Sequence, residues 1–140
     1  MAQNAGSANT TTAAKANEAI PTIVVTATRP SNSLQKPNYI NAVLVGETEL
    51  QPKELIKELL AIEAKLGRQR TLPKAARTID IDIVDYEGFF LESDELTLPH
   101  PRAHERRFVI EPWHEIDPDG ILLTHGRIDG LLRTLLEQEQ

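Results

Sequence analysis

The sequence predicts a mixed domain, α/β or α+β, with helices packed on one face of a small sheet. Three observations carry that expectation. Short β-branched runs bounded by proline or glycine recur along the chain, as in TIVVTAT at Thr22–Thr28 and YINAVLV at Tyr39–Val45. The stretch after Pro52 instead repeats its apolar residues at spacings of three and four, the helical period. The two kinds of segment alternate, and no internal repeat is visible. With 140 residues, 40% of them hydrophobic, the chain is long enough to bury one core without cross-links.

Residues 1–19 are mostly Ala, Asn, Thr and Ser and bury too little to offset their ordering entropy, so they read as a flexible polar tail ahead of a domain at 20–140. A short helix over Thr12–Ile20 has weak support. Thr22–Thr28 is the first strand, and RPSNSLQKP (Arg29–Pro37), with two prolines, is a mobile loop. Tyr39–Val45 is the second strand, closed by Gly46. From Pro52, Leu55, Ile56, Leu59, Leu60 and Ile62–Leu66 make a buried stripe, and Gly67 sits where a helix C terminus favours a left-handed residue. A basic loop follows, with Arg68, Arg70, Lys74 and Arg77. In TIDIDIV (Thr78–Val84) Ile79, Ile81 and Ile83 point to one face of a strand and Asp80 and Asp82 to the other. Leu96–Pro99 is extended, His104–Trp113 is helical, and Ile128–Leu135 is a last amphipathic helix.

Composition removes several function classes. The formal charge is −6, from 15 basic and 21 acidic residues, which argues against nucleic acid or a membrane surface as partner. Cysteine is absent, so disulfides, thiolate metal sites and cysteine nucleophiles are excluded, and a reducing cytoplasm is the default location. No apolar run is long enough to span a bilayer, and the first residues do not read as a signal peptide.

Asp80 and Asp82 are the sharpest chemical feature. Carboxylates at i and i+2 of a strand share a face, roughly 6.5–7 Å apart along the backbone, and can converge on one divalent ion or a pair. Hard oxygen ligands favour Mg²⁺, which takes one or two carboxylates plus phosphate oxygens and water. The competing reading is the solvent face of an amphipathic strand. Arg77 beside the strand, with Arg68 and Arg70 on the loop feeding it, shifts the balance, because guanidinium forks match phosphate oxygens. Taken alone, Arg68 and Arg70 are explained by a solvated charge run after a helix C terminus. His100, held between Pro99 and Pro101, presents its ring in a fixed direction, and Arg102, Arg106 and Arg107 surround it with positive charge. A zinc site from His100 and His104 needs helical i, i+4 geometry, which Pro101 disfavours. Tyr39 and Asn41 share a strand face, where a ring and an amide can stack a flat heterocycle and read its edge; Phe108 would supply the opposite ring. Judged singly, Tyr39 and Phe108 read as core.

In order, PNYINAV, LGRQR, ARTIDIDIV and ELTLPHPRAHERRFVIEPWHEIDP make the chain resemble the 6-hydroxymethyl-7,8-dihydropterin pyrophosphokinases from about Thr22 to Leu135. The RTIDIDI and LPHPRxHERxFV blocks carry most of the specificity. The resemblance implies a ferredoxin-like α+β sandwich, a small antiparallel sheet with helices packed on it and mobile substrate loops, here Arg29–Pro37 and Arg68–Ala76. It implies pyrophosphate transfer from ATP, the co-substrate, to the hydroxymethyl-dihydropterin, with two Mg²⁺ ions. Asp80 and Asp82 match the metal ligands, and with Arg68 and Arg77 they form the catalytic set. Tyr39, Asn41 and Phe108 match pterin contacts. Glu63, Arg70, Arg77, Ile83, Thr97, His100 and Arg106 match positions around ATP. Partners would be these small molecules, with other folate-pathway enzymes as candidate protein partners.

The chain departs from the pattern in three places. The family opens with an apolar strand, a Gly-Ser-Asn turn and a full helix, against only AGSAN (Ala5–Asn9) here, which predicts a gap in the sheet and an incomplete pterin pocket. LPKAAR stands where some members have Trp-Gly-Pro-Arg and others Asn-Ala-Pro, a change the family tolerates, and Glu95 stands where an arginine near ATP can occur. Two other readings compete with the active enzyme: a non-catalytic or truncated relative that binds nucleotide, and a phosphodiesterase using Asp80, Asp82, His100 and His104. The last leaves Tyr39, Asn41 and the basic loop unexplained.

Overall fold

Strand β1 (Thr22–Pro30) starts directly after Pro21, and its run of Ile, Val and Thr favours the pleated, half-buried backbone it adopts. The computed structural model describes residues 20–30, 39–67 and 79–139. The expected tail, positions 12–19 of the short helix, the centre of the first loop and the basic loop carrying Arg68, Arg70 and Arg77 lie outside these residues.

After β1 come β2 (Tyr39–Glu47), helix α1 (Pro52–Gly67) and β3 (Asp80–Tyr86). Two-residue strands β4 (Leu91–Glu92) and β5 (Thr97–Leu98) form a small hairpin, and a 3-10 turn at Ala103–Glu105 leads into α2 (Arg107–Ile116). The hairpin of β6 (Ile121–Leu122) and β7 (Gly126–Arg127) precedes α3 (Ile128–Gln138). Within the described residues the expected strands and helices are present, but β1, β2 and β3 each run two residues past their predicted ends, β2 continuing through Gly46. Helix α2 starts at Arg107 rather than His104, because residues 103–105 form a 3-10 turn.

The main sheet is antiparallel in the order β2-β1-β3. Strand β1 is therefore central, paired along one side from Thr22 with Glu47 to Pro30 with Tyr39 and along the other from Ile23 with Tyr86 to Thr28 with Asp80. The gap expected from the altered N terminus is absent from the described sheet, because Thr22–Pro30 itself bridges the two flanking strands.

Helices cover both faces of this sheet, rather than the one face expected. Ile23, Val25, Ile83 and Tyr86 pack with Leu55 of α1 and with Leu96 and Leu98. On the other face Val24 and Val84 pack with Val109, Ile110 and Trp113 of α2 and Ile128 of α3. Burying one such large side chain is worth about 1.5–3 kcal/mol. The apolar stripe of α1 is buried only over its first turns: Leu55 is buried, whereas Ile62 and Leu66 are 43% and 61% exposed, and Leu60 is also exposed. The helix runs on beyond the apolar patch that Ile23, Val25, Ile83 and Tyr86 provide.

Strand β3 changes character halfway. Asp80 and Asp82 are exposed while Ile83, Val84, Asp85 and Tyr86 are all buried. Val25 pairs with Ile83 but Val24 pairs with Asp85, so Val84 is an extra residue, a β-bulge. The bulge reverses side-chain parity beyond it. Tyr86 joins the α1 face, and its hydroxyl donates to the Leu50 carbonyl, while Asp85 turns toward the face of α2.

Candidate active site

The register of the sheet brings the predicted residues together. Asn41, Thr28 and Asp80 stand side by side across β2, β1 and β3, and Val43, Thr26 and Asp82 form the next row. Directly paired residues project to the same face, so the carboxylates and the amide share one surface at one end of the sheet. The N-terminal turn of α2 closes it with Arg106 and Phe108. A cavity of about 450 Å³ results, lined by Thr28, Tyr39, Asn41, Asp80, Asp82, Arg106 and Phe108.

Tyr39 and Phe108 are rim residues, 51% and 46% exposed, and not core as each reads alone. The Arg106 guanidinium lies 5.6 Å from the centroid of the Phe108 ring, a cation–π distance that steadies both. The Thr28 hydroxyl donates to Asn41 Oδ1 at 2.8 Å. That bond orients the amide and leaves its NH₂ as the group offered to the cavity. Sequence reasoning missed Thr28 because its role depends on facing Asn41 across the hairpin, which no local pattern encodes.

A second cavity, of about 260 Å³, adjoins the first at Asp82 and is lined by Ile83, Glu95, Thr97 and His100 among others. Glu95 also faces this space. The His100 backbone N–H donates to the Val84 carbonyl on the outer side of β3, and its Nδ1 accepts the Arg102 N–H at 3.2 Å. The neutral ring therefore carries its proton on Nε2. Burial holds the imidazole below its usual range; Asp82 opposes that, and Arg106 and Arg102 reinforce it. Glu63 of α1 lines neither cavity; its Oε2 accepts the Ile81 N–H between the two aspartates, fixing α1 against the outer side of β3. His104 stacks on His125 with centroids 3.9 Å apart rather than pairing with His100. Arg68, Arg70 and Arg77 lie outside the described residues.

Among the described residues no three His, Cys, Asp or Glu side chains cluster as a metal cage. Two carboxylates on one strand face, beside cationic Arg106, suit Mg²⁺, which completes its shell with phosphate oxygens and water; they do not suit a closed zinc site. The donor set therefore fits the metal that the motif implies. No helix among the described residues is long and apolar enough to cross a membrane.

The profile of the 7,8-dihydro-6-hydroxymethylpterin-pyrophosphokinase family matches residues 2–118. The chain is 41% identical over 111 residues to the 2-amino-4-hydroxy-6-hydroxymethyldihydropteridine pyrophosphokinase of Haemophilus influenzae, covering 79% of this chain and 69% of that one. It is 43% identical over 84 residues to the protein of the same name from Methylorubrum extorquens, covering 60% of this chain and 53% of the relative. It is 45% identical over 74 residues to the folate synthesis bifunctional protein of Chlamydia trachomatis, covering 51% of this chain and 16% of the longer protein. The chain thus spans about two thirds of the first of these, about half of the second and a small part of the third. On the profile match and the paired aspartates facing Asn41, this chain belongs to the 7,8-dihydro-6-hydroxymethylpterin-pyrophosphokinase family.

Proposed function

We propose that this chain transfers pyrophosphate from ATP to 6-hydroxymethyl-7,8-dihydropterin, giving the pterin pyrophosphate and AMP in folate synthesis. The convergence of Tyr39, Asn41, Asp80, Asp82, Arg106 and Phe108 on one cavity is the observation that carries this reading. It offers stacking surface, an edge-reading amide, paired carboxylates and a cation within a volume typical of small-molecule sites.

The pterin stacks between Tyr39 and Phe108, and the Asn41 NH₂, oriented by Thr28, donates to an acceptor on the heterocycle edge. ATP lies along the adjoining cavity past Thr97 and Ile83, with its phosphates turned toward Asp82, His100 and Arg106. Asp80 and Asp82 hold the Mg²⁺ that accompanies ATP, two ions on this reading, and that metal supplies phosphate charge neutralisation and activation of the attacking hydroxyl. The hydroxymethyl oxygen forms a bond to the β-phosphorus, the bond from that phosphorus to the bridging oxygen breaks, AMP leaves with that oxygen, and the hydroxyl proton passes to solvent. His100 Nε2–H and the Arg106 guanidinium donate to phosphate oxygens and stabilise the charge that builds there. Arg68, Arg70 and Arg77 act on the same triphosphate. Glu63 contributes by holding the strand between the aspartates. No residue forms a covalent intermediate, so positioning and electrostatics supply the rate.

AMP release from ATP and Mg²⁺, measured with and without the pterin, tests the reading. Pterin-dependent AMP is expected. ATP binding with no pterin-dependent AMP would overturn it and leave a nucleotide-binding relative.

A further inference from the structure

A third cavity, of about 340 Å³, lies on the α2 face of the sheet at the end away from Asp80. Four carboxylates line it, Asp85, Glu87, Asp117 and Asp119, with Val24 and Ile121 among the apolar wall. Each of the four has a local partner, which for Asp85 is the Leu123 backbone N–H. Glu87 Oε1 accepts the Thr22 N–H at 2.8 Å, Asp117 Oδ2 accepts the Trp113 indole N–H at 3.0 Å, and Asp119 Oδ1 pairs with Arg127 at 3.3 Å.

Asp85 differs. The bulge at Val84 turns it toward this cavity, it is only 9% exposed, and its Oδ1 is buried with no hydrogen-bond partner. A buried carboxylate oxygen without a donor is costly, and among the described residues no cation pairs with Asp85, Glu87 or Asp117. The acids are spread around the walls rather than converging, since no three metal-binding side chains among the described residues form a cage. That spacing suits a cation with several donors and a hydrocarbon body better than a bare ion.

We propose that this cavity binds a small organic cation, with an ammonium or guanidinium group seated against Asp85 and a short aliphatic chain against Val24 and Ile121. The site is separate from the catalytic cavity, which shares none of its lining residues.

Trp113 lines the cavity and is the chain's single tryptophan, so its fluorescence reports occupancy directly. The probes are n-butylammonium and n-butylguanidinium chlorides, titrated into the full-length protein alongside n-butanol, NaCl and MgCl₂. A saturable change is expected with at least one of the two organic cations and with none of the three controls. It should weaken by at least about tenfold in Asp85→Asn, whose isosteric side chain removes the charge. Far-UV circular dichroism and pterin-dependent AMP release establish that this variant folds. Should it not fold, Glu87→Gln, which keeps an acceptor for Thr22 N–H, must weaken binding instead. No saturable change, an equal response to the salts or to butanol, or binding undiminished in the folded variant would overturn the proposal.

Discussion

Replacing Asp85 by Asn should change how stability depends on pH. Burial pushes the Asp85 carboxyl up from 3.8 to about 6, with the Leu123 N–H opposing and the nearby charge of Glu87 adding to it. A group whose folded value is raised is stabilising when protonated. Its contribution is complete below pH 3.8 and is lost as pH rises through about 6. Across the whole window the raised value is worth roughly 3 kcal/mol, at about 1.36 kcal/mol per tenfold. Integrating between pH 8 and pH 5 leaves about 1.4 kcal/mol gained by the natural protein on acidification. Asn keeps an amide oxygen for the Leu123 N–H but cannot ionise, so the variant lacks that term. Glu87, Asp117, Asp119 and Arg127, which surround the same cavity, titrate in both proteins and largely cancel in the difference. Urea unfolding of both proteins at pH 5, 6, 7 and 8 reads the effect. The variant should gain on the natural protein by about 1.4 kcal/mol between pH 5 and pH 8. That gap is about 3–6 °C in Tm for a domain of this size. A difference that is flat with pH, or that runs the other way, would refute the argument that burial raises this group.

Asp82→Ala should reduce pterin-dependent AMP release by at least about a hundredfold, with unchanged circular dichroism, because Asp82 is an exposed strand residue outside both core clusters. A Cβ at Gly120 would lie 2.7 Å from the Trp113 indole nitrogen and 2.9 Å from Asp117 Oδ2. Gly120→Ala should therefore cost about 1–3 kcal/mol in urea unfolding, and unchanged stability would mean that the indole and its partner shift freely. Removing residues 1–19 should move Tm by no more than a few degrees, since β1 is already paired on both sides. A large loss would show that those residues cover Ile40 and Leu44, which are exposed on β2.

The features legible in the sequence are those set by local periodicity. The alternation in TIDIDIV placed Asp80 and Asp82 on one face, and the prolines and glycines bounded β1, β2 and α1 near their observed ends. What stayed hidden depends on contacts between distant segments. Tyr39 and Phe108 become a matched pair of rings only once β2 and α2 meet at the cavity rim. Leu60, Ile62 and Leu66 obey the helical period yet remain exposed, because the extent of the surface beneath them is not written in α1 itself. Period-two reasoning would seat Asp85 with Ile81 and Ile83, and the bulge sends it to the opposite face. Thr22–Pro30 reads as a strand from composition, but its central place follows from pairing with both neighbours.

The extra residue at Val84 acts like a frameshift in a two-letter code. Before it, alternate letters spell cavity wall and core; after it the same parity spells the reverse. One seven-residue strand thereby carries two independent messages, one for the cavity wall at its first half and one for packing at its second. Flattening the bulge with Val84 kept in the ladder would scramble the second message: Tyr86 would turn from the α1 face and Asp85 would face Leu55. A substitution in the first half thus alters the cavity wall, and one in the second the buried core, within a span of about 20 Å.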